Sequence, residues 1–168
     1  MKKNQGFSLV ELIVVIAIMA VLVGVLAPAY LRYVEKSRKS SDVSSVSDIV
    51  AAAEKVAVDV QFDLKQGAKF TVSVANGKVS ISVANGTTDA DADAALTEWV
   101  AIATGKEGQT SGANIYTCKS KEFKAAAGDG TIEGVIQASG SLAWSGAGFN
   151  NKKSVLGYSA DFVGKYKS

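Results

Sequence analysis

Residues 2–36 read KKNQGFSLVELIVVIAIMAVLVGVLAPAYLRYVEK, and the order of elements follows from how this stretch is read. Leu12 to Leu31 is twenty consecutive residues without a charge. As an α-helix such a run extends about 30 Å, the thickness of a bilayer core. A helix of a soluble core keeps a polar face, and this run has none. It is therefore expected to cross a membrane or to fill an equally dry environment. Glu11 stands at its head, where a lone acid in a spanning helix costs up to about 2.5–3.5 kcal/mol, less near an interface.

Three readings compete for this head. A cleavable secretory signal would use Lys2 and Lys3 as its charged start and Ala27-Pro28-Ala29 as its cleavage site. The apolar run exceeds the roughly 7–15 residues of such a signal, and Glu11 falls inside it. A plain signal anchor fits the length and leaves the acid unexplained. The third reading gives the carboxylate a charged partner, the condition under which a charge is tolerated out of water.

The hexapeptide Gly6-Phe7-Ser8-Leu9-Val10-Glu11, behind a short basic leader and before a spanning run, resembles the class III signal of type IV pilins and pseudopilins. The resemblance implies a membrane peptidase that cuts between Gly6 and Phe7 on the cytoplasmic side and methylates the new Phe7 amine. Glu11 would then lie one turn from that amine, an i,i+4 pair. In a filament it could instead neutralise the amine of a neighbouring subunit, which makes Glu11 the expected assembly residue. Arg32, Lys36, Arg38 and Lys39 follow the span, and a count of positive charges alone would place that side inside. Lys2, Lys3 and the resemblance place the leader there instead.

Gly24 and Pro28 form the weak point of the helix. Proline has no N–H for the carbonyl four residues back, and its ring crowds that carbonyl. Glycine at that place is itself a poor helix former by about 1 kcal/mol relative to alanine. The alternatives are a kink and, in a filament, a local melting that the resemblance implies just before this proline. Past Tyr33, the residues Val43, Val46, Val50, Ala53, Ala57, Val60 and Leu64 recur at spacings of three and four, with Ile49 and Val56 broadening the stripe. A helix from about Phe7 to Lys65, interrupted near Pro28 and stopped at Gly67, is expected to reach on the order of 90 Å.

In FTVSVANGKVSISVANG, a turn at Asn76-Gly77 sets Val74 opposite Val79, Val72 opposite Ile81 and Phe70 opposite Val83. All six share one face, and Thr71, Ser73, Ser80 and Ser82 share the other. TTDADADAALTEWVAIATGK predicts a second helix capped by Asp89 or Asp91, with Leu96, Trp99, Val100 and Ala103 inward. Asp89, Asp91 and Asp93 lack the glycine and distal glutamate of a calcium loop, so acids in a first helical turn explain them. Further strands are expected at 115–118, 131–138 and 154–163, and a helical turn or two before Gly128. Residues 139–153 are turn-dense, with Leu142, Trp144 and Phe149 as anchors.

The expected fold is α+β: a long N-terminal helix packed on a small antiparallel sheet, as the resemblance also implies. The expected division is a leader over 1–6, a transmembrane and filament-core helix over 7–31, its amphipathic half over 32–66, and a globular head over 67–168.

The 168 residues carry a net charge of +2, no histidine and one cysteine, Cys118. The commonest general base and metal ligand is thus missing, as is any thiolate cluster or intrachain disulfide. With no nucleophile motif or P-loop either, neither an enzyme nor a cofactor or metal site is expected. Many pilins of Gram-negative bacteria close a C-terminal loop with two cysteines. This chain departs from that pattern, which suits a Gram-positive host or a pseudopilin, and Cys118 is expected as a small buried hydrophobe. The resemblance implies the major subunit of a type IV pilus, held in the cytoplasmic membrane and then polymerised by the pilus machinery into a surface filament for adhesion, motility or DNA uptake. The alternatives are a pseudopilin of a type II secretion or competence system and a membrane-anchored binding module. In the last case Arg32, Lys36, Arg38, Lys39, Lys152, Lys153, Lys165 and Lys167 would contact nucleic-acid phosphates with a steep salt dependence.

Overall fold

The computed structural model describes residues 7–84, 90–121, 123 and 130–145. The chain divides into two units, residues 1–37 and 38–168, each taken by itself below. Helix α1 (Leu9–Ala57) begins in the first and ends in the second. It is followed by β1 (Lys69–Ala75), β2 (Lys78–Ala84), α2 (Ala90–Thr104), β3 (Tyr116–Thr117), β4 (Gly130–Ile136) and β5 (Leu142–Ser145). The fold is α+β, and the strands form one antiparallel sheet in the order β3-β2-β1-β4-β5.

The β1–β2 hairpin has the expected register, with Phe70 opposite Val83, Val72 opposite Ile81 and Val74 opposite Val79. Asn76 and Gly77 both take positive φ, 51° and 73°, as a two-residue turn matched to the strand twist requires. Five of the six apolar residues are buried, Val83 partly so. The sheet's apolar face meets Val46, Ile49, Val50, Ala53 and Val56 of α1 in one core. Helix α2 adds Ala95, Trp99 and Val100 to it. The Trp99 ring lies 5.3 Å from that of Phe70, tilted by 55°. Its Nε1 donates to the Ile49 carbonyl at 2.8 Å, giving a buried indole the partner it needs.

Four local expectations are corrected. The helix closes at Ala57 rather than Lys65, because Val58-Asp59-Val60 turns the chain. Asp59 N–H donates back to the Val56 carbonyl, and the Asp59 carboxylate accepts from Gln61 N–H at 2.9 Å, a local alternative to helix. Val60 is consequently 98 % exposed rather than part of the stripe. Gly67 is not the helix stop: at φ 90° it leads into β1, donating its N–H to Ile136. Pro28 lies inside α1, which continues through it without interruption. Asp91 sits in the first turn of α2 rather than at its cap, and Asp89 lies outside the described residues.

The strands expected at 115–118 and 131–138 appear as β3 and β4. The segment expected as a strand at 154–163 lies outside the described residues, as do Phe149 and Gly128. Strand β5 arises where only turns were expected. Residues 137–141 reverse the chain through Gln137 N–H to Ser141 carbonyl, and Leu142 then pairs with Ile136 and Trp144 with Gly134. A Cβ on Gly134 would lie 2.9 Å from the Trp144 ring, so the glycine is the bed on which the indole rests. Trp144 Nε1 reaches across to Glu54 Oε1 of α1 at 3.1 Å. Gly134→Ala is accordingly expected to destabilise the head by about 1–3 kcal/mol, seen as a lower urea midpoint with an unchanged slope in the detergent-solubilised full chain.

Candidate functional site

The first unit presents its side chains outward. Every residue from Phe7 to Tyr33 is exposed, with Phe7 at 87 %. The helix here is long and apolar enough to cross a membrane. Its start is built by two side chains acting on each other's backbone. Ser8 Oγ accepts from Val10 N–H at 3.4 Å, and the Glu11 carboxylate reaches back to accept from Ser8 N–H at 3.0 Å. The first turns of a helix leave N–H groups without helical partners, and this reciprocal capping box satisfies two such donors. An acid in the first turn also faces the positive end of the helix dipole. The Ser-x-x-Glu spacing is legible in the sequence and is the signal by which this role of Glu11 could have been found.

Of the other residues singled out, Gly6 lies outside the described residues. Gly24 has open space where a Cβ would stand, so its smallness answers to no contact within the unit. Arg32, Lys36 and Arg38 are exposed and Lys39 partly so, whereas Lys152, Lys153, Lys165 and Lys167 lie outside the described residues. Among the described residues no group of three or more His, Cys, Asp or Glu side chains could hold a metal ion.

The second unit holds a charged site that the sequence reading passed over. Asp42 of α1 is fully buried. Its Oδ1 accepts from Tyr116 Oη at 2.8 Å and from Lys119 N–H at 3.0 Å. Oδ2 accepts from Ser120 N–H at 2.7 Å and shares the Lys119 N–H at 3.0 Å. Hydrogen bonds to an ionised acceptor are the strong ones, and two successive backbone N–H groups form a natural anion cradle. Asp42 stands four, seven and eleven residues before Val46, Ile49 and Ala53, so the helical period already placed it on the buried face. Cys118 is buried between Tyr116 and these two donors, as expected of a small hydrophobe.

Burial pushes the Tyr116 phenol above the usual tyrosine range. The hydrogen bond to Asp42 and that carboxylate's charge push the same way, against the Ser45 hydroxyl. Below pH 10 the phenol is neutral folded or unfolded, so its contribution is constant there. As pH rises further the unfolded chain ionises first, and folded stability falls. An alkaline absorbance titration should show a step above the usual tyrosine range, and Tyr116→Phe should remove that step.

A family model described as the prokaryotic N-terminal methylation motif matches residues 1–27. A fimbrial protein of Pseudomonas aeruginosa is 36 % identical over 59 residues, which cover 35 % of this chain and 38 % of that protein. Fimbrial protein Q of Moraxella bovis is 41 % identical over 59 residues, covering 35 % of this chain and 34 % of the relative. The chain thus spans well under half the length of the relatives it matches. No solved structure matches it.

Proposed function

We propose, from a methylation motif and fimbrial relatives that support the type IV pilin family, that this chain is the structural subunit of a type IV pilus. The observation that carries the reading is an outward-facing apolar helix headed by a capped acid, lying within the matched motif. A prepilin peptidase cuts between Gly6 and Phe7 and methylates the Phe7 amine. The capping contact already holds the Glu11 carboxylate at the nitrogen of Ser8, next to that amine. After cleavage the carboxylate has a cation at hand, its own or that of a neighbouring subunit, and the cost of a charge among apolar helices falls.

The subunit waits in the cytoplasmic membrane with residues 7–31 as its span. The pilus machinery then extracts it into a helical filament in which these spans form the core. The later part of α1 belongs to the head, whose core its Val46–Val56 stripe lines, and the filament extends from the cell surface for adhesion, motility or DNA uptake. Contacts between unlike faces of successive subunits do not close, and such contacts generate fibres. Gly24 and Pro28 mark where α1 opens on packing, since neighbouring helices can satisfy the carbonyl that proline leaves. The role is structural, in keeping with the fimbrial relatives.

N-terminal and intact-mass analysis of the protein from its native cells should find a chain beginning at Phe7 and heavier by one methyl group. An intact leader or a start at Tyr30 would sink this reading. Glu11→Ala is expected to insert in the membrane as the wild type does and to abolish filaments, judged by electron microscopy and by the sheared surface fraction.

A further inference from the structure

Strand β3 is only two residues long, yet the segment that carries it shields the outer edge of β2 over a greater length. Gly112 carbonyl accepts from Ile81 N–H at 2.8 Å, and Asn114 N–H donates to Ser80 Oγ at 3.1 Å. Tyr116 and Thr117 pair with Val79 and Lys78, and Cys118 N–H donates to the Gly77 carbonyl at 2.7 Å. Residues 112–118 thus form a strap along one strand edge, held to the sheet by few bonds.

Both ends of the strap are specified. At the first, a Cβ on Gly112 would collide with the Ile81 carbonyl oxygen, so only glycine permits that approach. At the other, Asp42 takes the phenol of Tyr116 and the N–H groups of Lys119 and Ser120. Two paired residues give little stability of their own, so the strap is held by its edge bonds, by Cys118 in the core and by Ile115 and Tyr116 packed against it, and local openings below the global unfolding energy start from such short edges. The donors that meet the buried carboxylate, Tyr116, Lys119 and Ser120, all lie in the strap or directly after it, so the same bonds serve both. The coupling runs both ways: an open strap would leave Asp42 buried or hydrated without these bonds.

We propose that Asp42 is a latch: its release lets residues 112–120 lift from the sheet as a unit, baring the β2 edge while the α1–α2–sheet core stays folded. Unlatching uncovers backbone groups of Gly77, Val79 and Ile81, the kind of strand edge that natural folds keep covered. The inference rests on contacts within the head and holds whether or not the chain forms a filament. Cys118, 1 % exposed and lying in the strap, reports the opening.

The test is thiol labelling of Cys118 in the detergent-solubilised full chain across a urea series, beside global unfolding followed by the fluorescence of the two tryptophans, Trp99 and Trp144. A latch predicts that wild-type labelling at low urea proceeds with a much shallower urea dependence than global unfolding, since a local opening exposes little surface. Labelling that follows the global slope at every urea concentration would overturn the proposal. Tyr116→Phe should speed low-urea labelling by about threefold, and Asp42→Asn by about tenfold or more, since the amide loses the charge and sets its own N–H groups against the donors. Gly112→Ala should speed it as well, from the other end of the strap. Faster labelling only in proportion to lost global stability would again overturn the latch. Because Asp42→Asn disturbs a buried charge, the wild-type slope and Tyr116→Phe are sufficient by themselves to decide.

Discussion

The stripe of α1 from Val46 to Val56 is the surface against which the head is assembled. The sheet has an apolar face made by Phe70, Val72, Val74, Val79, Ile81 and Ile132, and a face of Thr, Ser, Lys and Glu turned the other way. A sheet of this kind must cover one side and can leave the other in water. Helix α1 supplies the cover, and α2 is drawn in where Trp99 donates to an α1 carbonyl and leans on Phe70. Strand β5 answers to the same surface, since Trp144 crosses Gly134 to bond Glu54 of the helix. Without the stripe, neither the apolar face nor the two indoles would have a reason to be where they are.

Two of the acids on this helix stand under opposite solvent conditions, and it handles them differently. Glu11 stays exposed and turns its carboxylate onto the helix's own first N–H groups, where the dipole favours a negative charge. Asp42 is taken out of water altogether, which is affordable only because a phenol and two backbone N–H groups meet both oxygens. The first arrangement leaves a carboxylate available for a partner outside the subunit. The second ties the carboxylate to the subunit's own distant chain.

How much could be read beforehand varied with the range of the forces involved. The β1–β2 hairpin was legible to the residue, because alternation and an Asn-Gly turn act over sixteen neighbouring positions. The α1 stripe and α2 were legible for the same reason, with a period of 3.6 in place of 2. The end of α1 was missed because the apolar spacing carries on past Ala57 while Asp59 makes a local turn that periodicity cannot register. Strand β5 was missed because Leu-Ala-Trp-Ser is too short to show a pattern and becomes a strand only beside β4. The capping box is visible as Ser8-x-x-Glu11, but the same carboxylate also lies one turn from the Phe7 amine, and spacing alone does not choose between the two.

By itself, the sequence determined that a long helix with an apolar run at its start precedes an α+β head, which of its helix and hairpin residues line the core, and that an acid heads the apolar run. Those properties follow from composition, period and turn chemistry, which act between near neighbours in the chain. Only the tertiary structure decided the strand order, the glycine bed under Trp144 and the partners of Asp42, which lie 74, 77 and 78 residues further along. A buried charge shows in sequence as one more polar letter on an apolar face. What satisfies it is settled when the chain closes and brings distant donors within hydrogen-bonding distance, because only then has the carboxylate lost its water.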